Sequence, residues 1–187
     1  MEVVILSGNK PIAALAADAV EALLRRKPAA VLGLATGSSP LPVYNELALR
    51  HERDGLDFSQ VRAFGLDEYV GLPAGHPESC REVIRREFTG RVNIDPANVH
   101  GPDGSAADIP AACRAFEDAM HGAGGVDLQL LGVGTDGHIG FNEPGSSLAS
   151  RTRIKTLIEQ TRRDNARFFG SLSHVPHHVV TQGLGTD

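Results

Sequence analysis

Cysteine is scarce in this chain of 187 residues: Cys80 and Cys113 are the two present. Two thiols make no disulfide framework, and neither has a partner at metal-ligand spacing. Each falls on an apolar helical stripe, which predicts buried thiols. Positive charge is also short. The 18 Lys and Arg are outnumbered by 23 Asp and Glu, for a formal net charge of −5. That balance argues against a nucleic-acid partner, which selects a basic face. Long apolar runs are missing, since a bilayer span needs about 20 residues, so no membrane partner is expected. No basic–apolar–small leader pattern opens the chain, and the expected compartment is a reducing cytoplasm. There is no internal repeat, no low-complexity tract and no linker, which predicts one domain over residues 1–187. Apolar residues at 41% supply an ordinary core.

Glycine is the residue in excess, at 21. It is clustered, which predicts loops where backbone approaches a ligand or another strand closely. Between the loops, apolar runs alternate with amphipathic stretches. "EVVIL" (2–6) predicts a buried strand. A helix follows, capped by Asn9, with a stripe of Ile12, Ala16, Ala19, Val20, Leu23 and Leu24. "AVLGLA" (30–35) and "VRAFGL" (61–66) predict buried strands, with a helix from Pro40 between them. Pro77 opens a helix with the stripe Cys80, Val83, Ile84 and Phe88. Residues 89–107 read as loop with a short strand at Val99. Ile109, Cys113, Phe116 and Met120 mark another helix. "VDLQLLGVG" (126–134) predicts the strongest strand. A helix over 159–169 and a strand from 178 complete the pattern. Continuous apolar strands alternating with helices predict an α/β fold: an open, mostly parallel sheet with helices on both faces. The last segment, "TQGLGTD", follows a strand with no helix after it, and the alternation is expected to continue past an interruption there.

In such sheets ligands bind beyond the carboxyl ends of the strands. Three polar loops stand there. In "ATGSSP", Thr36, Gly37, Ser38 and Ser39 precede a helix. They read either as its cap or as a phosphate cradle of orphan amides and hydroxyls. In "LDEYVGLP", Asp67 and Glu68 read either as turn-forming carboxylates or as a base held over a pocket. "GVGTDGHIGFNEPG" carries a literal GxGxxG in Gly132, Gly134 and Gly137. A dinucleotide site needs a helix there and an acidic residue about twenty positions on. Asn, Glu, Pro and a basic "RTRIK" follow instead, which excludes that reading. What remains is Asp136, His138 and Glu143 on one loop. Flanking carboxylates orient a histidine and raise its proton affinity. Beside a second carboxylate and a phosphate site, this predicts proton transfer on a phosphorylated small molecule. "HVPHH" (174–178) reads as surface loop, with Pro176 interrupting any metal spacing. Arg151, Arg153 and Lys155 alternate in a possible extended segment, as surface charge or a second anion site. No serine lies in a nucleophile-elbow pattern.

With these residues in place, the sequence resembles the glucosamine-6-phosphate deaminase family. The matching stretches are "LGLATGSSPLPVY" (32–44), "LDEYVGLPAGHPES" (66–79), "GVGTDGHIGFNEPGSSLASRTRIKTL" (132–157) and "NARFF" (165–169). The resemblance implies a modified Rossmann-like fold. It implies conversion of glucosamine 6-phosphate and water to fructose 6-phosphate and ammonia, with no cofactor and no metal. It assigns Asp67 as the base moving a proton between carbon 2 and carbon 1. It assigns His138, with Asp136 and Glu143, to opening the pyranose ring, and Thr36–Ser39 with Arg167 to the phosphate. Ser146, Arg153 and Lys155 match an allosteric site of a hexameric branch, which implies a homo-oligomer as one outcome. Cys80 stands where the family usually has Tyr. The family continues beyond Asp187 with further sheet and helix and a Lys on the substrate phosphate, so the chain is expected to lack its C-terminal part. A 6-phosphogluconolactonase-like hydrolase and a catalytically silent sugar-phosphate sensor are the competing readings.

Overall fold

The computed structural model describes residues 2–186. Four parallel strands form the main sheet in the order β4-β2-β1-β5: β1 (Val31–Leu34), β2 (Arg62–Gly65), β4 (Val99–His100) and β5 (Leu128–Gln129). Alternation of side chains along β1 and β2 divides the core in two. Leu32, Leu34 and Ala63 face the helices α1 (Asn9–Arg26), α2 (Leu41–Asp54) and α3 (Cys80–Glu87). Their partners there include Val20, Leu23, Leu47 and Ile84. Val31 and Phe64 face the opposite way, onto Phe116 and Met120 of α4 (Ile109–Gly122). The expected two-sided α/β sheet is therefore present.

Helix ends follow from local chemistry. Asp108 caps α4, its carboxylate accepting from Ala111 N at 2.9 Å. Ser79 caps α3, its hydroxyl accepting from Glu82 N at 3.2 Å. The start of α3 at Cys80 corrects the expected opening at Pro77. A turn intervenes, with Ser79 N donating to His76 O. In α1 the cap is Gly8 and Asn9 is already helical. The buried stripe there is Ala13, Ala17, Val20, Leu23 and Leu24, while Ile12 is 48% exposed. Ala13 and Ala17 thus replace Ile12 and Ala16 in the first turns, while Val20, Leu23 and Leu24 are buried as expected.

Two strand expectations are corrected. Residues 2–6 form no strand among the described elements, and Val3 and Ile5 are 71% and 91% exposed. An apolar run becomes a strand only where a neighbour supplies a ladder, and no strand of either sheet pairs with residues 2–6. "VDLQLLGVG" shortens to Leu128–Gln129 for a related reason. It pairs with the four-residue β1 alone, and Leu130 N makes the last bond, to Gly33 O at 2.9 Å. Beyond it Val133 is 74% exposed.

A second sheet, not foreseen as such, has three antiparallel strands in the order β3-β7-β6. These are β3 (Asp67–Tyr69), β6 (Arg153–Thr156) and β7 (His178–Thr181), flanked by α5 (Glu159–Phe169). Asp67 pairs with Thr181, and Arg153 pairs with Thr181 on the other side. The two sheets meet where the chain leaves β2. Gln182 N donates to Leu66 O at 2.9 Å, and Gln182 Nε2 donates to Gly65 O at 3.1 Å. A small core of Tyr69, Cys80, Phe141, Leu157, Val175 and Val179 fills the space behind this sheet. No described helix is long and apolar enough to cross a membrane.

Candidate active site

A cleft of about 510 Å³ opens beyond the carboxyl ends of β1 and β2, where parallel strands place their ligands. The loop 36–39, Asp67, Cys80, His138 and Arg167 line it together. The three polar loops singled out in the sequence thus converge.

The first loop begins where β1 ends. Ala35 is clamped by Tyr44 of α2, whose hydroxyl donates to Ala35 O at 2.7 Å and accepts from Ala35 N at 3.1 Å. Thr36–Ser39 then turns over the start of α2, with Gly37 at φ +98°, a conformation glycine adopts without a Cβ penalty. From α5, Arg167 reaches the loop, its Nη2 donating to Ser38 Oγ at 3.4 Å. A helix N-terminus, hydroxyls and one guanidinium at a cleft wall are groups able to hold an anion.

Asp67 opens β3 and is buried. Its Oδ1 accepts from the Cys80 thiol at 3.2 Å. Burial pushes the carboxyl up to about 7, although the Cys80 hydrogen bond and nearby His138 pull it down and Glu68 adds to the rise. A carboxyl poised there can both take and return a proton near neutral pH. Glu68, the next residue, points elsewhere, as strand alternation requires. Its Oε1 accepts from Tyr69 N at 2.8 Å and Cys80 N at 2.9 Å, and its Oε2 accepts from Arg81 N at 3.1 Å. The pair of carboxylates therefore divides into one over the cleft and one tying β3 to α3. The sequence did not separate them.

His138 stands on the glycine-rich loop. Asp136 Oδ1 accepts from His138 Nδ1 at 2.6 Å and from His138 N at 3.2 Å. Those contacts, led by the backbone one, hold the Asp136 carboxyl below its ordinary value. An ionised carboxylate only accepts, so Nδ1 carries the proton and Nε2 is the free basic nitrogen. Glu143 is buried, with Oε2 at 3.8 Å from His138 Nδ1. Its Oε1 accepts from Thr161 Oγ1 at 2.8 Å, while Oε2 has no hydrogen-bond partner. His138 lines the cleft, and both carboxylates address it at the same ring nitrogen. The loop is held by the second sheet: Phe141 N donates to Thr181 Oγ1 at 3.2 Å and Asn142 Nδ2 to Gln182 O at 2.8 Å. Gly137 is followed by turns and not by a helix. Asp136, His138 and Glu143 bring their ligand atoms within 4.8 Å of one another, the one geometry among the described residues able to hold a metal ion.

Sequence reasoning missed most of what α5 contributes. Besides Arg167, the helix supplies Thr161, which holds Glu143, and Asp164, which accepts from Thr135 Oγ1 at 3.0 Å. Tyr69 packs edge-on against Phe169 at 5.1 Å to form an apolar wall. The sequence placed a helix over 159–169, but nothing in its mostly polar residues shows which face meets the cleft. Ser146, Arg153 and Lys155 stand outside the cleft lining. Arg153 and Lys155 share one face of β6, with exposed Ile154 on the other.

The chain is similar to proteins of known family. The family model for glucosamine-6-phosphate isomerases/6-phosphogluconolactonase matches residues 9–167. The glucosamine-6-phosphate deaminase of Arthrobacter sp. (strain FB24) is 81% identical over 186 residues, covering 100% of this chain and 72% of that protein. That of Streptomyces coelicolor is 63% identical over 187 residues, again 100% of this chain and 72% of that protein. A solved structure of a monomeric glucosamine-6-phosphate deaminase superimposes with a TM-score of 0.97 at 40% identity, covering 100% of this chain and 77% of that one. The 6-phosphogluconolactonase of Thermotoga maritima shares the fold at a TM-score of 0.70 and 23% identity, over 95% of this chain and 75% of that one. The chain therefore belongs to the glucosamine-6-phosphate isomerase/6-phosphogluconolactonase family.

Proposed function

We propose that this protein is a glucosamine-6-phosphate deaminase, converting glucosamine 6-phosphate and water to fructose 6-phosphate and ammonia. The observation that carries the reading is the buried Asp67 carboxyl, held near 7 in the same cleft as His138 and the anion cradle. The reaction needs two separate proton carriers. A closed pyranose has no acidic proton beside a carbonyl, so the ring must open before a carboxylate can enolise the sugar.

The phosphate sits on Thr36–Ser39 and Arg167. His138 Nε2 takes the proton of the carbon-1 hydroxyl and returns one to the ring oxygen, breaking the bond from carbon 1 to that oxygen. Asp136 and Glu143 stabilise the transient imidazolium. The Asp67 carboxylate then removes the carbon-2 proton. The electron pair makes the bond between carbons 1 and 2 double, and the aldehyde oxygen takes a proton from the substrate's own ammonium group, leaving a neutral enolamine. Asp67 delivers its proton to carbon 1, leaving an iminium at carbon 2. Water adds there and ammonia leaves. Ser146, Arg153 and Lys155 take no part in these steps; the same reading keeps them as an effector anion site.

The test is equimolar release of ammonia and fructose 6-phosphate from glucosamine 6-phosphate by the purified chain. Hydrolysis of 6-phosphogluconolactone without any ammonia from the amino sugar would overturn the reading.

A further inference from the structure

Cys80 lines the cleft, and the mechanism above leaves it without a role. The residue is held at three points. The backbone N–H donates to Glu68 Oε1 at 2.9 Å, Sγ donates to Asp67 Oδ1 at 3.2 Å, and Thr36 Oγ1 lies 3.6 Å from Sγ. The first contact anchors the start of α3 to the residue beside Asp67. The second reaches Asp67 itself. With the thiol proton committed to the carboxylate, the Thr36 hydroxyl is the donor to sulfur. A directed chain therefore runs from Thr36 O–H to Cys80 S–H to Asp67 Oδ1.

The thiol is not built to be a nucleophile. Burial comes first among the causes that push it well above its ordinary value, and the charges of Asp67 and Glu68 push the same way. It stays a protonated donor throughout the range in which Asp67 titrates. Nor is it simple packing. Cys80 does join the small core of Tyr69, Phe141 and Val179, but Sγ faces the two polar groups of the cleft.

We propose that Cys80 is a positioning residue for Asp67, its thiol fixing the orientation of the carboxylate and linking it through Thr36 to the phosphate loop. The proposal rests on Asp67 being the base of the deaminase reading. The link gives the enzyme a way to align its base when the far end of the sugar is seated, since Thr36 belongs to the cradle. A hydrogen bond to the charged form of a carboxylate also eases its ionisation. The groups facing Asp67 that bear on its titration are Glu68 on its own strand, Tyr69 beside it, Tyr44 from α2, Cys80 from α3 and His138 from the glycine-rich loop.

The experiment compares Cys80→Ala and Cys80→Ser with the intact protein. In Cys80→Ala the acidic limb of kcat should move up by about half to one pH unit, the worth of one lost hydrogen bond. KM should change less than about twofold, since uniform binding is untouched. Cys80→Ser, which keeps a donor, should restore the limb. Carbon-13 titration of the Asp67 carboxyl, assigned with Asp67→Asn, should move in parallel, and this readout does not depend on activity. A limb and a carboxyl titration both unmoved in folded Cys80→Ala overturn the proposal while leaving Asp67 as the base. Full deaminase activity in Asp67→Asn overturns the base assignment and the proposal with it, even if the carboxyl titration moves. A fall in thermal stability alone, with an unmoved limb, shows a packing role and also overturns it.

Discussion

Gly134 offers a test of the His138 assignment that touches no charged group. A Cβ built on Gly134 would lie 2.4 Å from His138 Cε1, 2.5 Å from Nδ1 and 2.6 Å from Nε2. Ordinary contact begins about 1 Å further out, so in Gly134→Ala the imidazole must leave its place. Gly134 does not have a positive φ, so alanine fits the backbone there without strain. The ring is the free end of a side chain and can swing aside, but the 2.6 Å contact of Nδ1 with Asp136 is lost as it does. A misplacement of about 1 Å costs on the order of 100-fold, the low end of what a positioned acid–base group contributes. The expected outcome is a kcat at least ~100-fold down and a melting temperature within ~3 °C of the parent, because alanine also restricts the unfolded chain. Gly137→Ala should do the reverse. Nothing lies within 4 Å of its Cβ, but φ is +88°, so the penalty falls on stability. The assay is ammonia release alongside thermal unfolding for both variants. A folded Gly134→Ala with parental kcat would show that the ring's position is not needed, and would refute His138 as the ring-opening group.

Three further variants test the rest of the site. Asp67→Asn should lower kcat at least ~100-fold. It should also stabilise the protein at high pH. The folded carboxyl titrates near 7 against an ordinary 3.8, so its contribution to stability is fully present below about 4 and is lost as pH rises through about 7. Denaturation at pH 4 and pH 8 should show the variant gaining on the order of 4 kcal/mol over the parent across that span, and a pH-independent difference would contradict the burial argument. Glu143→Gln keeps an oxygen for Thr161 but removes the charge 3.8 Å from His138 Nδ1; we expect kcat to fall about tenfold or more with unfolding little changed, and an unaltered pH–rate profile would remove Glu143 from the relay. Arg167→Ala deletes a charged donor to the cradle, so KM should rise about ten- to a hundredfold with a smaller effect on kcat, whereas an unchanged KM would place the phosphate elsewhere.

Much of this could be read from local pattern. Helix α5 matches its predicted range of 159–169, and it ends at Gly170 in the left-handed conformation, a stop signal that is local in the sequence. The pairing of Asp136 with His138 was equally accessible, since two residues on a tight loop have few other places to go. What depended on distant pairing was not. β3 is three residues long and becomes a strand only because β7 lies beside it. The division of labour between Asp67 and Glu68 follows from that pairing, since it sets which carboxylate faces the cleft. "EVVIL" and the far half of "VDLQLLGVG" erred in the opposite sense. Their composition suits a strand, but a strand is a relation between segments, and neither stretch has a ladder partner.

The pairing of β3 with β7 has a consequence for how the protein comes into being. Asp67 and its ladder partner Thr181 are more than a hundred residues apart. During synthesis from the amino end, β1, β2, α1 and α2 can assemble early, whereas the strand bearing Asp67 must wait for the ribosome to deliver β7. The loop carrying His138 waits as well, since Thr181 and Gln182 hold Phe141 and Asn142. Closing so long a loop is the slow, entropically costly part of folding. A nascent chain with its large sheet already formed would therefore be inert, and catalysis could begin only after β7 had arrived.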